Sequence, residues 1–244
     1  MTNLRTTLLL FTAMLGMSLA GLHAGEAKTG FLNKVYKGKD GDVKYIVFVP
    51  KDYTGDKEYP VILFLHGSGS TGDDGEKQAK GGIAKALRDM NEKFPFIVVL
   101  PQAHQKGWGA TGPSAKQAIA ILDEVEKAYK TDKKRVYLTG LSMGGYGAWS
   151  LAAAYPDRWA AIAPICGGGN PKTADKIKDL PCWCFHGDAD PTVNVEKSRE
   201  MIKALKDAGG SPKYTEYPKV GHNSWDRAYA TPELYTWFLK HATK

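Results

Sequence analysis

Cysteine is scarce in this chain of 244 residues, which holds only Cys166, Cys182 and Cys184. An odd count leaves at least one thiol unpaired within the chain, so a disulfide scaffold is excluded. Metal-ligand spacing and a fourth ligand are both missing, so a zinc site is not expected either. Cys182 and Cys184 lie two apart in a strand-like run and share a face, which makes them poor partners for each other. A bridge from Cys166 to one of them would need adjacent strands, and buried free thiols are the favoured reading. Charge of one sign is also short. Lys and Arg number 33 against 26 Asp and Glu, interleaved, for a formal charge of +7. The one dense basic stretch, Lys130 to Arg135, is broken by Thr131 and Asp132 and runs into a strand-like segment. It reads as solvated surface, with no nucleic-acid partner. Repeats, low-complexity tracts and interdomain linkers are missing. With 43% hydrophobic and 24% charged residues, disordered, collagenous and polytopic membrane chains are excluded.

Only one apolar run is long, from Leu8 to about Leu22. Arg5 precedes it, and no other formally charged side chain occurs before Glu26. A positive start, a short apolar centre and small residues describe a secretory signal over residues 1–24. Ser18-Leu19-Ala20 and Leu22-His23-Ala24 fit the cleavage pattern, placing the cut after residue 20 or 24. The run falls short of the ~20 apolar residues of a bilayer span and no basic stop-transfer cluster follows it. The expectation is an exported protein with one domain over residues 25–244 and no membrane span once processed.

From Val43 onward the pattern repeats strand, loop, helix. Strand-like runs lie at Val43–Val49, Val61–Leu65, Phe96–Leu100, Val136–Leu138, Ala160–Ile165, Trp183–Phe185 and Tyr214–Tyr217. Helical spacing marks Ala115–Tyr129, Met143–Tyr155, Val195–Ala208 and Pro232–His241. Short runs that are apolar on both faces, separated by helices, predict a mostly parallel sheet covered on each side. The connection from Gly167 to Leu180 is too short for a substantial lid. In such sheets function collects beyond the carboxyl ends of the strands. Four of those ends carry His66-Gly67-Ser68-Gly69, Gly140-Leu141-Ser142-Met143-Gly144, His186-Gly187-Asp188-Ala189-Asp190 and Gly221-His222.

The second of these matches G-x-S-x-G between a strand and a helix, a sharp turn that exposes a nucleophilic serine. Ser142 then needs a base that is itself oriented by a third group, in chain order Ser, Asp or Glu, His. His23 lies in or beside the signal, and His241 is on the terminal helix. His104 precedes the serine. His66 and His186 end strands beside glycines, where an imidazole shapes a turn. His222 remains, just past the last strand, as general base. Asp190 reaches further into its loop and is the expected acid, while Asp188 pins the turn. Glu196 and Glu200 fall on the following helix and read as solvated. Oxyanion donors are expected from the backbone N–H of Met143 and, in the first glycine-rich loop, of Ser68.

With these motifs in this order, the chain resembles the α/β-hydrolase superfamily, and within it the lidless serine carboxylesterases related to dienelactone hydrolases and the prolyl oligopeptidase catalytic domain. The matching stretches are Pro60–Asp74, Gly140–Gly147, His186–Val193 and Gly221–Trp225, and the resemblance runs from about Val43 to His241. Dienelactone hydrolases use a cysteine where this chain has Ser142. The resemblance implies a cofactor-free, metal-free α/β-hydrolase fold with Ser142, Asp190 and His222 as its triad. It also implies Ser68 and Met143 at the oxyanion hole. The expected substrate is a short-chain ester, or an acetyl or feruloyl-type ester on a polysaccharide. A serine peptidase of the prolyl oligopeptidase type and a catalytically inactive binding protein are the alternatives. Trp108 is a candidate wall of the acyl or sugar site, with packing as the equal alternative. Trp225 is expected to pack around the base, and Gly167–Asn170 to line the opposite rim.

Overall fold

Every residue of Tyr59–Leu65 is buried, and a strand apolar on both faces must have helices on both sides. The computed structural model describes residues 28–39, 41–90 and 94–244. The signal reading and His23 lie outside the described residues. The strands are β1 (Gly30–Gly38), β2 (Gly41–Val49), β3 (Tyr59–Leu65), β4 (Ile97–Pro101), β5 (Thr131–Leu141), β6 (Ala161–Ile165), β7 (Trp183–Gly187) and β8 (Lys213–Tyr217). The helices are α1 (Ile83–Met90), α2 (Pro113–Ala128), α3 (Met143–Ala154), α4 (Ala174–Ile177), α5 (Glu196–Asp207), α6 (Ser224–Tyr229) and α7 (Pro232–Leu239). The strands form one sheet in the order β1-β2-β4-β3-β5-β6-β7-β8. β2 runs antiparallel to β1 and β4, and the remaining pairs are parallel. This is an α/β-hydrolase fold, and no large lid insertion interrupts the described residues.

Side-chain alternation divides the core. Val61, Leu63, Leu65 and Val99 pack with Ile121 and Leu122 of α2, Trp149 of α3 and Met201 and Leu205 of α5. Ile62, Phe64, Val98 and Phe185 face the other way, against Leu87 of α1, Tyr229 of α6 and Phe238 of α7. Each such fully buried side chain contributes about 1.5–3 kcal/mol. The same alternation decides the cysteines. Cys182 and Cys184 belong to the first face and Cys166 to the second, so the sheet separates them. All three are free and buried, and the bridge considered from sequence does not form.

Three features depart from the expected pattern. β1 has no fully buried residue, so it lacks the apolar run that marks the inner strands. α6 is six residues long, too short for a clear helical period, and α1 is absent from the predicted helices although Ile83, Ala84, Ala86 and Leu87 are buried at helical spacing. β5 starts at Thr131 rather than near Val136. It carries Lys133, Lys134 and Arg135 as exposed strand residues, in keeping with a solvated basic stretch. Because β3, β5, β6, β7 and β8 are parallel, their carboxyl ends meet at one edge, and the four loops singled out above, after β3, β5, β7 and β8, converge there.

Candidate active site

Ser142 links β5 to α3 with φ 53° and ψ −117°. A non-glycine residue there is strained by about 1–3 kcal/mol, so its surroundings must hold it. Its amide donates to Ile165 O at 3.0 Å, and its carbonyl accepts from Tyr146 N at 3.1 Å. The turn is possible because glycine precedes and follows it. A Cβ on Gly140 would meet the Gly144 carbonyl, and one on Gly144 would meet the Leu65 carbonyl.

The side chain of Ser142 points at His222. His222 Nε2 lies 2.9 Å from Ser142 Oγ, and Nδ1 lies 2.7 Å from Asp190 Oδ2. A carboxylate only accepts, so Nδ1 carries the proton and Nε2 accepts from the serine hydroxyl. Asp190 is itself anchored, its Oδ1 accepting from Thr192 N at 2.8 Å and Val193 N at 2.9 Å. Burial opposes ionisation of Asp190. The hydrogen bonds from His222, Val193 and Thr192 outweigh it and hold the carboxyl below its ordinary value. Asp188 does something else. Its Oδ1 accepts from Lys219 N at 2.6 Å, tying the β7 loop to the loop that delivers His222. Trp225 packs edge-on against His222 with ring centroids 5.1 Å apart.

The two strand-end histidines shape the surroundings. His66 Nε2 accepts from Ala103 N at 3.0 Å, so Nδ1 carries the proton and donates to Gly67 O at 2.7 Å. This joins the Ser68 loop to the loop after β4. His186 Nε2 donates to Val193 O at 2.9 Å and lies 3.2 Å from Asp190 Oδ2. The sequence placed His186 in a turn but gave no sign that it meets the acid. Met143 opens α3, where helix-terminal amides have no partner within the helix, and Ser68 opens a 3-10 turn at Ser68–Ser70. The Met143 side chain accepts from Gly107 N through Sδ at 3.1 Å.

Trp108 is tightly packed and also belongs to the lining of a cavity beyond Met143. It is 2% exposed, lies edge-on to His66, and its indole N–H donates to His66 O at 2.9 Å. Two cavities flank the serine. One of 290 Å³ includes Ser142, His222, Ser68 and Trp225. The other, of 610 Å³, lies beyond Met143 and includes Gly168, Gly169 and Asn170, on the expected rim. Its exposed aromatic is Tyr146, 41% exposed. Sequence gave no reason to single out Tyr146, because it lies on α3 with ordinary helical spacing. Glu196 and Glu200 pair with Arg199 and Lys197 on the surface of α5.

Among the described residues, Cys166, Asp190 and His222 have donor atoms within 4.8 Å of one another. Burial pushes the Cys166 thiol up to about 12, and Asp190 and His222 are already bonded to each other. The Cys166 thiol therefore stays protonated beside the hydrogen-bonded pair rather than completing a ligand set.

Residues 38–201 match the family model described as putative esterase. The chain belongs to this esterase family. The chain is 30% identical over 218 residues to the bifunctional acetylxylan esterase/xylanase XynS20E of Neocallimastix patriciarum, covering 84% of this chain and 31% of that protein. The chain thus spans under a third of that relative's length. It is 26% identical over 195 residues to a probable feruloyl esterase C of Aspergillus niger, covering 75% and 68%. Among solved structures, a thermostable esterase superposes with a TM-score of 0.79 at 34% identity, covering 87% of this chain and 63% of that one.

Proposed function

We propose that this esterase hydrolyses short-chain or polysaccharide-linked carboxylic esters, of the acetyl or feruloyl type, through a covalent acyl-enzyme. The observation that carries this reading is the unbroken chain from Ser142 Oγ through His222 to Asp190 Oδ2. Ser142 Oγ attacks the ester carbonyl carbon as its proton passes to His222 Nε2. The imidazolium that forms is held by Asp190, and the oxyanion is received by the backbone N–H groups of Ser68 and Met143. His222 then protonates the departing alkoxide. Water, deprotonated by the same nitrogen, attacks the acyl-enzyme and releases the acid and Ser142.

The relatives whose names cite acetylxylan and ferulate support the substrate class. The finer placement, among lidless carboxylesterases akin to dienelactone hydrolase and the prolyl oligopeptidase domain, rests on the motif order. The reading includes export, supported by the composition of residues 1–24, with a mature start near Gly21 or Gly25. Mass spectrometry of the secreted protein checks this, and retained Met1 would overturn it. The test of function is turnover of p-nitrophenyl acetate and butyrate, against a long-chain ester and a matched amide, with a fluorophosphonate label mapped by mass. Short-ester turnover and label on Ser142 are expected. Preference for the amide would favour the peptidase, and no label would sink the mechanism.

A further inference from the structure

The 290 Å³ cavity at Ser142 and His222 is walled by Phe64, Leu141 and Trp225. Its back wall stays open because Gly82 has no side chain. At φ +61° a Cβ there would lie 2.8 Å from both Leu141 Cδ2 and Phe64 Cζ. Into this apolar lining comes one buried amide. Gln78, in the 3-10 turn Lys77–Ala79, is 1% exposed and lines the cavity. Neither its Nε2 nor its Oε1 has a hydrogen-bond partner among the described residues.

Much of the surrounding loop is satisfied, although Thr71 Oγ1 is also buried without a partner among the described residues. Gln102, equally buried, accepts from Gly75 N at 2.7 Å and donates to Ser70 O at 3.0 Å and Asp74 Oδ1 at 3.3 Å. Ser70 Oγ donates to Lys77 O at 3.1 Å. Thr71, Trp149 and Ser224 also carry an orphaned buried atom, but among these described residues only Gln78 lines this cavity. A buried amide without partners is destabilising, whereas an apolar side chain of similar size would not be. Such a group is explained when a ligand completes it.

We propose that Gln78 is the specificity-determining residue of this site, exchanging hydrogen bonds with a hydroxyl on an aryl group seated in the cavity. The inference rests on the serine-hydrolase reading and adds the chemistry of the group beside the ester. A carboxamide has an acceptor and two donors, and one hydroxyl offers it both a donor and an acceptor. An aliphatic chain would match the apolar walls and leave the amide orphaned. A sugar ring would satisfy the amide and press its other hydroxyls against Phe64, Leu141 and Trp225. A single hydroxylated aromatic ring meets both demands, and a cavity at the small end of the usual ligand range holds one ring rather than a polymer segment.

Arylboronic acids test this whichever side of the ester the ring belongs to. Boron accepts the Ser142 Oγ lone pair, the serine proton moves to His222, and the aryl group occupies the neighbouring space. Inhibition constants are compared for phenylboronic acid and its 3- and 4-hydroxy derivatives, in the wild type and in Gln78→Leu. One hydroxylated derivative should bind about tenfold more tightly than phenylboronic acid in the wild type, the worth of one good hydrogen bond. Gln78→Leu should erase that ratio and raise Tm, because the unsatisfied amide is gone. A structural glutamine would instead lower Tm when replaced. Equal binding of all three boronates, a preference that survives Gln78→Leu, or a lowered Tm each overturns the assignment to Gln78. Failure of every boronate to bind, with no fluorophosphonate label on Ser142, overturns the serine-hydrolase reading and this inference with it.

Discussion

Asp188 and Asp190 leave the same strand two residues apart and do different work. Asp190 meets the imidazole, and Asp188 meets a backbone amide on the neighbouring loop. Asp190→Asn should lower kcat by about 10⁴-fold, because an amide at that position favours the wrong imidazole tautomer. Asp188→Asn keeps an acceptor for Lys219 N, and its cost should stay within about tenfold. Steady-state kinetics on p-nitrophenyl acetate would check the order, and the reverse order would transfer the role of acid to Asp188. Ser142→Ala should remove turnover and fluorophosphonate labelling. It should leave the fold intact, since the strained backbone is held by bonds from its own amide and carbonyl. At this scale the sequence was informative about Ser142, Asp190 and His222, because turn chemistry and chain order constrain them. Gln78 and Tyr146 had no such mark, since nothing local distinguishes a buried orphan amide or a cavity-facing tyrosine from ordinary helix or turn residues.

Helix α3 is built to come close to the sheet. Gly144, Gly145 and Gly147 lie in its first turns, and a Cβ on each would strike Leu65, Ile165 or Trp108. In an exposed helix, glycine to alanine stabilises by about 1 kcal/mol. Here the sign reverses. Gly144→Ala should cost at least about 1–3 kcal/mol through overpacking against the Leu65 carbonyl and displace Ser142 with it. Urea denaturation alongside kinetics checks this, and a stabilised, fully active Gly144→Ala protein would refute the close-packing account. The helix itself was legible from Met143 to Tyr155, and the reason for its glycines needed the neighbouring strand ends. β1 was missed for a related reason, since an exposed antiparallel edge strand is specified by its pairing with β2 more than by its own composition.

For the molecule as a whole, buried titratable groups set an acid limit. His66 is held below its ordinary value by burial, against the opposing bond to Gly67 O. His186 is lowered by burial as well, against Val193 O and the charge of Asp190. The unfolded chain takes up these protons at about pH 6.5 while the folded chain resists them. Their contribution to stability is therefore present above about pH 6.5 and lost as pH falls below it. The depressed carboxyl of Asp190 adds a second loss at lower pH, as pH falls through its folded value. Urea midpoints should drop between about pH 7.5 and 5.5, and a flat profile would mean that these histidines charge in place. The thiols make a second whole-molecule prediction. Burial pushes Cys166 and Cys184 up to about 12 and Cys182 well above its ordinary value. Iodoacetamide at neutral pH should leave the native protein unmodified and alkylate three cysteines after unfolding. A reductant should not shift Tm.

The sequence by itself determined the layered α/β plan and the strand-end positions of Ser142, Asp190 and His222. Short apolar runs dictate burial on both faces, and the glycines and chain order at the turns constrain the chemistry there. Tertiary structure alone decided which long-range neighbours complete the site. It put Cys166 across the sheet from Cys182 and Cys184, covered Trp108, brought His186 onto Asp190, and left Gln78 without a partner at the cavity. These are contacts between segments far apart in the chain. Local periodicity records which face a residue presents, and only packing fixes what meets that face.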